Sequence, residues 1–190
     1  MPDIDGRMRS TFSRVGQAVA LFVGLLCSLE PAVAQQVEDS GFKPVVESPT
    51  FAEGKGPTVL VDEAHNNFHT AYGRYQPFAN LLRRDGYVVS ASTVTFDKAS
   101  LRKASVLVIA NATGVRNSPP FSAPIEPAFT DTEVEAVRDW VNRGGSLLLI
   151  VDHFPWPVAA RKLADAFGIH FDSGTALEPG FIRASGLSPK

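Results

Sequence analysis

The segment 144–153 constrains the fold more than any other part of the chain. It contains five consecutive aliphatic residues, Leu147–Val151, with no polar residue between them. A run of this kind is typical of a strand buried on both faces of a parallel sheet that is covered by helices. In open α/β sheets, ligands bind beyond the carboxyl ends of the strands, and Asp152 and His153 follow the run directly. The segment therefore predicts a parallel α/β sheet with a site at these two residues.

Strand and helix patterns alternate along the rest of the chain. The other strands are predicted at 57–62, 87–91 and 105–110, with a short fifth strand that contains His170 at 169–171. The helices are predicted to begin at Pro77, Thr130 and Pro155 and to end at Gly86, Gly144 and Gly168. Thr130 and Glu133 have the spacing of a capping box. This alternation predicts a doubly wound parallel sheet, a flavodoxin-like three-layer sandwich with strand order 2-1-3-4-5.

The amino terminus has the pattern of a secretory signal peptide. Basic residues precede an apolar run, Val19–Leu26, and Ala32-Val33-Ala34 supplies a small-x-small cleavage pattern. We therefore predict a signal peptide at 1–34, with translation starting at Met1 or at Met8, and an exported protein in the periplasm or outside the cell. The apolar run is shorter than the roughly 20 residues of a spanning helix, so no stable membrane anchor is expected after cleavage.

The mature chain is predicted to be one domain. Residues 35–56 are polar and contain proline and glycine, which is typical of a linker or a loosely attached arm, and the domain is predicted at 57–190. The net charge is −2, and no basic run exceeds two residues, which argues against a nucleic-acid partner. Cys27 is the only cysteine and lies in the signal peptide, so the mature protein has no thiol nucleophile and no disulfide.

Ionisable side chains collect at the predicted strand ends. His153 has the chemistry of a general base, and Asp152 or Glu63 could orient it. Alternatively, Asp62 and Asp152 only cap the following backbone by accepting N–H bonds, and His153 is a packed loop residue. A metal site is a further alternative, formed by the side chains of His65, His69, Asp152 and His153.

Other residues near the strand ends are candidates for ligand binding. His65 and Asn66 follow the first strand, and Asn111 and Gly114 bound a segment whose backbone N–H groups could bind an oxyanion, although a turn alone also explains the glycine. Four aromatic residues could stack on a sugar or a peptide or simply pack as a lid, and Arg74 could pair with an anionic group; the four are Phe68, Tyr72, Tyr75 and Trp156. The chain has no Gly-x-Ser-x-Gly elbow and no phosphate loop, and we predict no cofactor.

Three segments together resemble the class I glutamine amidotransferase-like superfamily. They are 62–66 (Asp-Glu-Ala-His-Asn), 111–114 (Asn-Ala-Thr-Gly) and 140–145 (Trp-Val-Asn-Arg-Gly-Gly) leading to Asp152-His153. The resemblance covers about 57–171 and is nearest to an uncharacterised branch related to the ThuA-like, trehalose-utilisation proteins. It implies a flavodoxin-like sandwich whose fourth-strand elbow holds the catalytic cysteine in true amidotransferases. Here Asp152-His153 stands at that elbow, where ThuA-like relatives also place a histidine. Relatives continue with further strands and a closing helix, which implies a domain that is incomplete at its C-terminal end.

Two hypotheses about function follow. The first is an exported, non-catalytic ligand-binding or scaffolding domain that has lost the nucleophile, with a small molecule, sugar or peptide as its ligand. The second is a hydrolase that uses His153 with Asp152, Glu63 or His65, with or without a metal. The second hypothesis requires the side chains of His65 and His153 to converge on one cavity.

Overall fold

The computed structural model describes residues 38–39 and 41–173, so the predicted signal peptide and its cysteine lie outside the described residues. Within these residues there are four strands and three helices. In chain order they are β1 (Thr58–Asp62), α1 (Gln76–Arg84), β2 (Val88–Ser92), β3 (Val106–Ala110), α2 (Asp131–Asn142), β4 (Ser146–Ile150) and α3 (Trp156–Asp165). Each agrees with a predicted element to within a few residues.

The four strands form one parallel sheet in the order β2-β1-β3-β4. Val59 of β1 lies opposite Val89 of β2 and Val106 of β3, and Leu107 of β3 lies opposite Leu147 of β4. This arrangement confirms the flavodoxin-like α/β fold and the first four places of the predicted order. Because the strands are parallel, the segments that follow β1, β3 and β4 all emerge at the same edge of the sheet.

The helices cover the two faces of the sheet as a doubly wound fold requires. On one face, Val137 of α2 and Leu163 of α3 pack against Leu107 and Ile109 of β3. On the other face, Ala79 of α1 belongs to a cluster with Val59 and Val61 of β1. The helix α2 begins with the predicted capping box, in which Thr130 and Glu133 bind each other's backbone N–H groups.

The strand β4 is less buried than its sequence predicts. The aliphatic run predicts burial on both faces, but every residue of β4 retains some exposure, and 42% of Leu148 is accessible. The reason lies in its place in the sheet. Within residues 41–173, no strand pairs beyond β4, and α1 is the one helix on the face to which Leu148 belongs. A fully apolar run therefore occupies an edge position.

The predicted fifth strand at 169–171 is wrong. This segment is irregular, and it forms no ladder with the sheet. Phe171 packs against the α2–α3 side of the core, whereas Ile169 is more than half exposed. His170 is exposed, and its Nδ1 lies 2.9 Å from Oδ1 of Asp165. The packing of Phe171 therefore accounts for one of the two apolar residues of this segment, while Ile169 remains on the surface.

The end of the predicted linker is bound to the domain. The backbone N–H and the hydroxyl of Thr50 donate to the carboxylate of Asp85 at 2.6 and 3.1 Å. The ring of Phe51 meets that of Tyr87 edge-on, with centroids 5.1 Å apart. Gly86 has φ +91°, and a Cβ there would collide with the carbonyl of Phe51. The turn between α1 and β2 is therefore the anchor of this segment.

Candidate functional site

A buried group of three ionisable side chains lies behind the carboxyl edge of the sheet. Nδ1 of His65 lies 2.9 Å from both carboxylate oxygens of Asp62, at the end of β1. Nε2 of His65 lies 2.7 Å from Oε1 of Glu133, in the first turn of α2. All three residues are buried, and His65 packs between the rings of Phe96 and Phe129. Both ring nitrogens of His65 are therefore engaged with carboxylates inside the core.

Glu133 connects three segments of the chain. Its Oε2 accepts hydrogen bonds from the backbone N–H and the hydroxyl of Thr130 at 3.0 and 2.8 Å. Its Oε1 accepts from the backbone N–H of Phe96 at 3.2 Å, in addition to His65. Glu133, the second residue of the capping box of α2, thus also fixes the loop after β1 and the loop after β2. The sequence indicated the cap but gave no sign of the other two contacts, because they join distant segments.

The environment favours the charged forms of His65 and Glu133. Burial alone would lower the pKa of His65, but the hydrogen bonds and negative charges of Asp62 and Glu133 outweigh it, so its pKa is raised above 6.5. Burial alone would raise the pKa of Glu133. Hydrogen bonds from Thr130 and the hydrogen bond and charge of His65 outweigh that effect, so its pKa is lowered below 4.5. The group is therefore an ion-paired cation between two carboxylates.

We expect the stability of the protein to fall as the pH rises above neutrality. His65 has a raised pKa in the folded protein, so its stabilising effect is complete below about pH 6.5 and is lost as the pH rises through the folded value. Glu133 has a lowered pKa, so its contribution is present above about pH 4.5 and is lost on further acidification. Urea unfolding at about pH 5.5 and about pH 8.5 should give the larger free energy of unfolding at the lower pH. The variant His69→Gln should be measured in parallel. The pKa of His69 is lowered, so this residue opposes the pH dependence that His65 produces. Equal stabilities at the two pH values in both proteins would contradict the expectation.

The loops after β1 and β3 are joined to each other. The amide of Asn66 donates to the hydroxyl of Thr113 at 2.9 Å, and that hydroxyl donates to the carbonyl of Asn66 at 3.0 Å. The backbone N–H of Gly114 donates to the carbonyl of His65 at 2.8 Å. Asn66 and Asn111 both have positive φ, 51° and 48°. Asn111 is buried, and its Oδ1 has no hydrogen-bond partner in the described structure.

The candidate catalytic residues are separated by their environments. His153 and Asp152 are exposed, and Nδ1 of His153 lies 3.0 Å from Oδ1 of Asp152. That same Oδ1 accepts from the backbone N–H of His153 at 2.6 Å, so Asp152 caps the backbone after β4 and also orients the ring of His153. Oε1 of Glu63 accepts from the backbone N–H of Ala71 at 2.8 Å and holds the loop after β1. His65 is enclosed in the core while His153 is on the surface, so the convergence that the hydrolase hypothesis requires is not formed.

Aromatic side chains form a continuous cluster beside His153. The ring of His153 stacks on Trp156, at 4.8 Å, and Phe68 packs against Trp156 at 5.3 Å. The guanidinium of Arg74 lies 3.9 Å from the centroid of Phe68. This row therefore runs from the end of β4 to the loop after β1.

A second stacked pair, His69 on Tyr75 at 4.4 Å, lies next to this row. Burial lowers the pKa of His69; the charge of Asp152 opposes this shift, and that of Arg74 reinforces it. Burial and the charge of Asp152 raise the pKa of Tyr75. Burial therefore favours the neutral form of His69 against the charge of Asp152, whereas burial and Asp152 together favour the protonated form of Tyr75.

A cavity of about 310 Å³ opens at this edge of the sheet. It is lined by Asn66, Asn67, Phe68, Arg74, Thr113, Pro119, Phe121 and Trp156. Trp156 is 7% exposed, and its indole Nε1 has no hydrogen-bond partner among the described residues. A buried N–H without a partner is costly, and no described residue offsets that cost for Trp156.

The cavity contains some of the residues that sequence patterns single out, namely Asn66, Phe68, Arg74 and Trp156. Asn66 lines it, but His65, Asn111, Gly114 and the catalytic candidates do not. Pro119 and Phe121, from the proline-rich loop after β3, were missed, because no periodicity or motif marks a residue of such a loop. Of the aromatic residues proposed to stack on a ligand, Phe68 and Trp156 line the cavity, and Tyr72 is exposed elsewhere.

The described residues 41–173 contain no group of three or more histidine, cysteine, aspartate and glutamate side chains arranged to hold a metal ion. The four residues of the metal hypothesis are therefore not assembled as one site. None of the helices in the described part of the chain has the length and apolar character that crossing a membrane requires.

The fold and the site define a class of protein. It is a flavodoxin-like parallel α/β domain with a buried Asp62–His65–Glu133 group and an aromatic cavity at the carboxyl edge of its sheet. Comparison of the chain with protein-family models, with curated proteins and with solved structures gave no match.

Proposed function

We propose that this protein is a non-catalytic ligand-binding domain whose ligand occupies the cavity beside Trp156. The observation that carries the proposal is the cavity itself. It lies where ligands of α/β sheets bind, and it combines apolar walls with a small number of polar groups. The polar side chains of Asn66, Asn67 and Thr113 line it, and Arg74 adds a positive charge. These groups suit a small sugar, an acidic sugar or a short peptide.

The state of the histidines supports binding rather than catalysis. A general base must reach the proton that it removes, and both nitrogens of His65 are bonded to buried carboxylates. His153 is paired with Asp152, but both side chains are exposed to water and neither lines the cavity. This exposed pair is the feature on which the hydrolase alternative depends.

The proposal includes a family and a location. We propose that the chain is a cysteine-free member of the class I glutamine amidotransferase-like superfamily, on the ThuA-related branch, and that it is exported. The family proposal is supported by the places of the three motif segments, which follow β1, follow β3 and lead through β4 to Asp152. The export proposal is supported by the signal-peptide pattern of residues 1–34.

Ligand binding can be followed on the indole N–H signal of Trp156 by NMR. We expect a saturable shift of this signal on titration with at least one of trehalose, glucuronate and tri-alanine. Phe121→Ala should weaken that binding by about fivefold or more, because an aromatic contact contributes on the order of 1 kcal/mol. The control is Phe42→Ala, since Phe42 is exposed and does not line the cavity.

Two outcomes would contradict the proposal. One is the absence of any saturable shift with all three probes. The other is turnover of an ester or glycoside probe that is abolished in the variant His153→Ala, which would establish the hydrolase instead.

A further inference from the structure

A second cavity lies at the opposite edge of the sheet. Its volume is about 340 Å³, and it is formed by residues that precede β3 and β4, among them Ser105 and Gly145. Because the sheet is parallel, these amino ends lie at the edge away from Trp156. The cavity is therefore separate from the proposed ligand site.

Three basic side chains from different segments line this cavity. Lys98 and Arg102 come from the turn between β2 and β3, and Arg143 is the C-cap residue of α2. The lining contains no acidic residue, although the chain as a whole has a net charge of −2. Within residues 41–173 none of the three forms an ion pair with a carboxylate. The cavity is thus a local concentration of positive charge without a counter-charge of its own.

The nearest acidic residues in sequence form no ion pair with these cations. Asp97 precedes Lys98, but its Oδ1 accepts the backbone N–H of Ser100 at 2.6 Å, which caps the turn. Asp139 lies one helical turn before Arg143 and is outside the lining. Within residues 41–173, no carboxylate lies within ion-pairing distance of the three cations.

The floor of the cavity is an aromatic side chain. It is the indole of Trp140, which is 6% exposed and whose Nε1 donates to the carbonyl of Ala104 at 3.3 Å. Gly145 lies directly on this ring, and a Cβ at Gly145 would overlap the indole atoms. Since the glycine covers the face of the indole, a planar ligand cannot stack on it. The cavity can bind a ligand by charge and hydrogen bonds, but not by aromatic stacking.

We propose that this cavity binds a compact, multiply charged oxyanion that carries phosphate or sulfate groups. Arginine presents a planar fork of N–H donors that matches such oxygens, and lysine adds a point charge. The hydroxyl of Ser105 at the rim supplies a neutral donor. Three cations within one concave surface attract a polyvalent anion much more strongly than a monovalent one.

The two tryptophans of the chain allow a direct test by NMR. One lies under the basic cavity and the other lines the cavity at the carboxyl edge, so their indole N–H signals report on the two sites separately. Titration with pyrophosphate at constant ionic strength should shift the signal of Trp140 saturably, with half-saturation below about 1 mM, and leave that of Trp156 in place. Sulfate, with one anionic centre, should bind more weakly.

The variants are matched in charge. The double variant Arg102→Gln, Arg143→Gln should weaken pyrophosphate binding by about tenfold or more, because each substitution removes a charge-assisted hydrogen bond. The control double variant Lys55→Gln, Arg138→Gln removes the same charge from exposed positions outside the cavity and should change the affinity by less than about twofold.

Three results would overturn the proposal: no saturable shift of the Trp140 signal up to about 10 mM pyrophosphate, an equal loss of affinity in the two double variants, or binding that equimolar chloride abolishes. All four substituted side chains are exposed, so the variants are expected to fold. Failure of pyrophosphate binding does not bear on the proposed function, because that function is tested on the indole N–H signal of Trp156.

Discussion

Replacement of His65 by alanine is expected to lower the free energy of unfolding by about 3–5 kcal/mol, the usual cost of removing one partner from a buried ion pair. His65 is 4% exposed, and its two ring nitrogens lie 2.9 Å from Asp62 and 2.7 Å from Glu133. Without the imidazolium, two carboxylates face each other in the core with no cation between them. Urea unfolding at about pH 6, where the histidine is charged, is the measurement.

The control for this variant is His170→Ala. His170 makes the same kind of contact, 2.9 Å from Nδ1 to a carboxylate oxygen of Asp165, but on the surface. An exposed pair contributes at most about 1 kcal/mol, so this variant should unfold almost as the unchanged protein does. Equal effects of the two substitutions would show that the buried group does not stabilise the fold. If His65→Ala does not fold, His65→Gln, which retains a hydrogen-bond donor, should be folded and less stable than the parent.

Replacement of Gly114 by alanine is expected to cost about 3 kcal/mol, the sum of a backbone and a packing effect. Gly114 has φ +75°, a conformation that alanine adopts only with strain. A Cβ there would also lie 2.8 Å from Cα of Ala128, and the backbone on both sides cannot move freely because the N–H of Gly114 donates to His65. Thermal or urea unfolding of the variant measures the loss.

Gly54→Ala separates the two effects. Gly54 has a similar φ of +65°, but nothing lies within 4 Å of the position that a Cβ would take. This variant should therefore show only the backbone cost, about 1 kcal/mol. If both variants lose the same stability, the close approach of the loop after β3 to Ala128 does not contribute, and the role of Gly114 reduces to its turn.

The candidate site was only partly predictable. A polar residue at the end of a strand can be placed at the edge of the sheet, but its contacts with other side chains cannot be predicted from that position. The acids and histidines after β1 and β4 were expected at one edge, and they are there. Their division into a buried group around His65 and an exposed pair at His153 depends on α2, whose Glu133 lies 68 positions further along the chain than His65. The cap that Thr130 and Glu133 form is local and could be predicted; the bond to His65 could not.

Edge and interior strands are another limit of the sequence. The aliphatic run 147–151 predicts a strand, and β4 coincides with it to within one residue. Hydrophobicity alone does not say how many neighbouring strands it has. Leu148 is 42% exposed although it has the same character as the buried Leu107. The alternation of Ile169, His170 and Phe171 likewise satisfied a strand pattern without a partner strand to pair with.

The sequence by itself determined the parallel α/β architecture, the order of the elements and the caps of α2, because apolar periodicity, glycine stops and capping residues act over a few neighbouring positions. It also determined that the described domain has no thiol chemistry, since residues 41–173 contain no cysteine. The tertiary structure alone decided which histidine is an ion-paired core residue, where Trp156 lacks a partner, and how Lys98, Arg102 and Arg143 converge on Trp140. These features depend on contacts between segments far apart in the chain, and the packing of helices on the sheet determines those contacts.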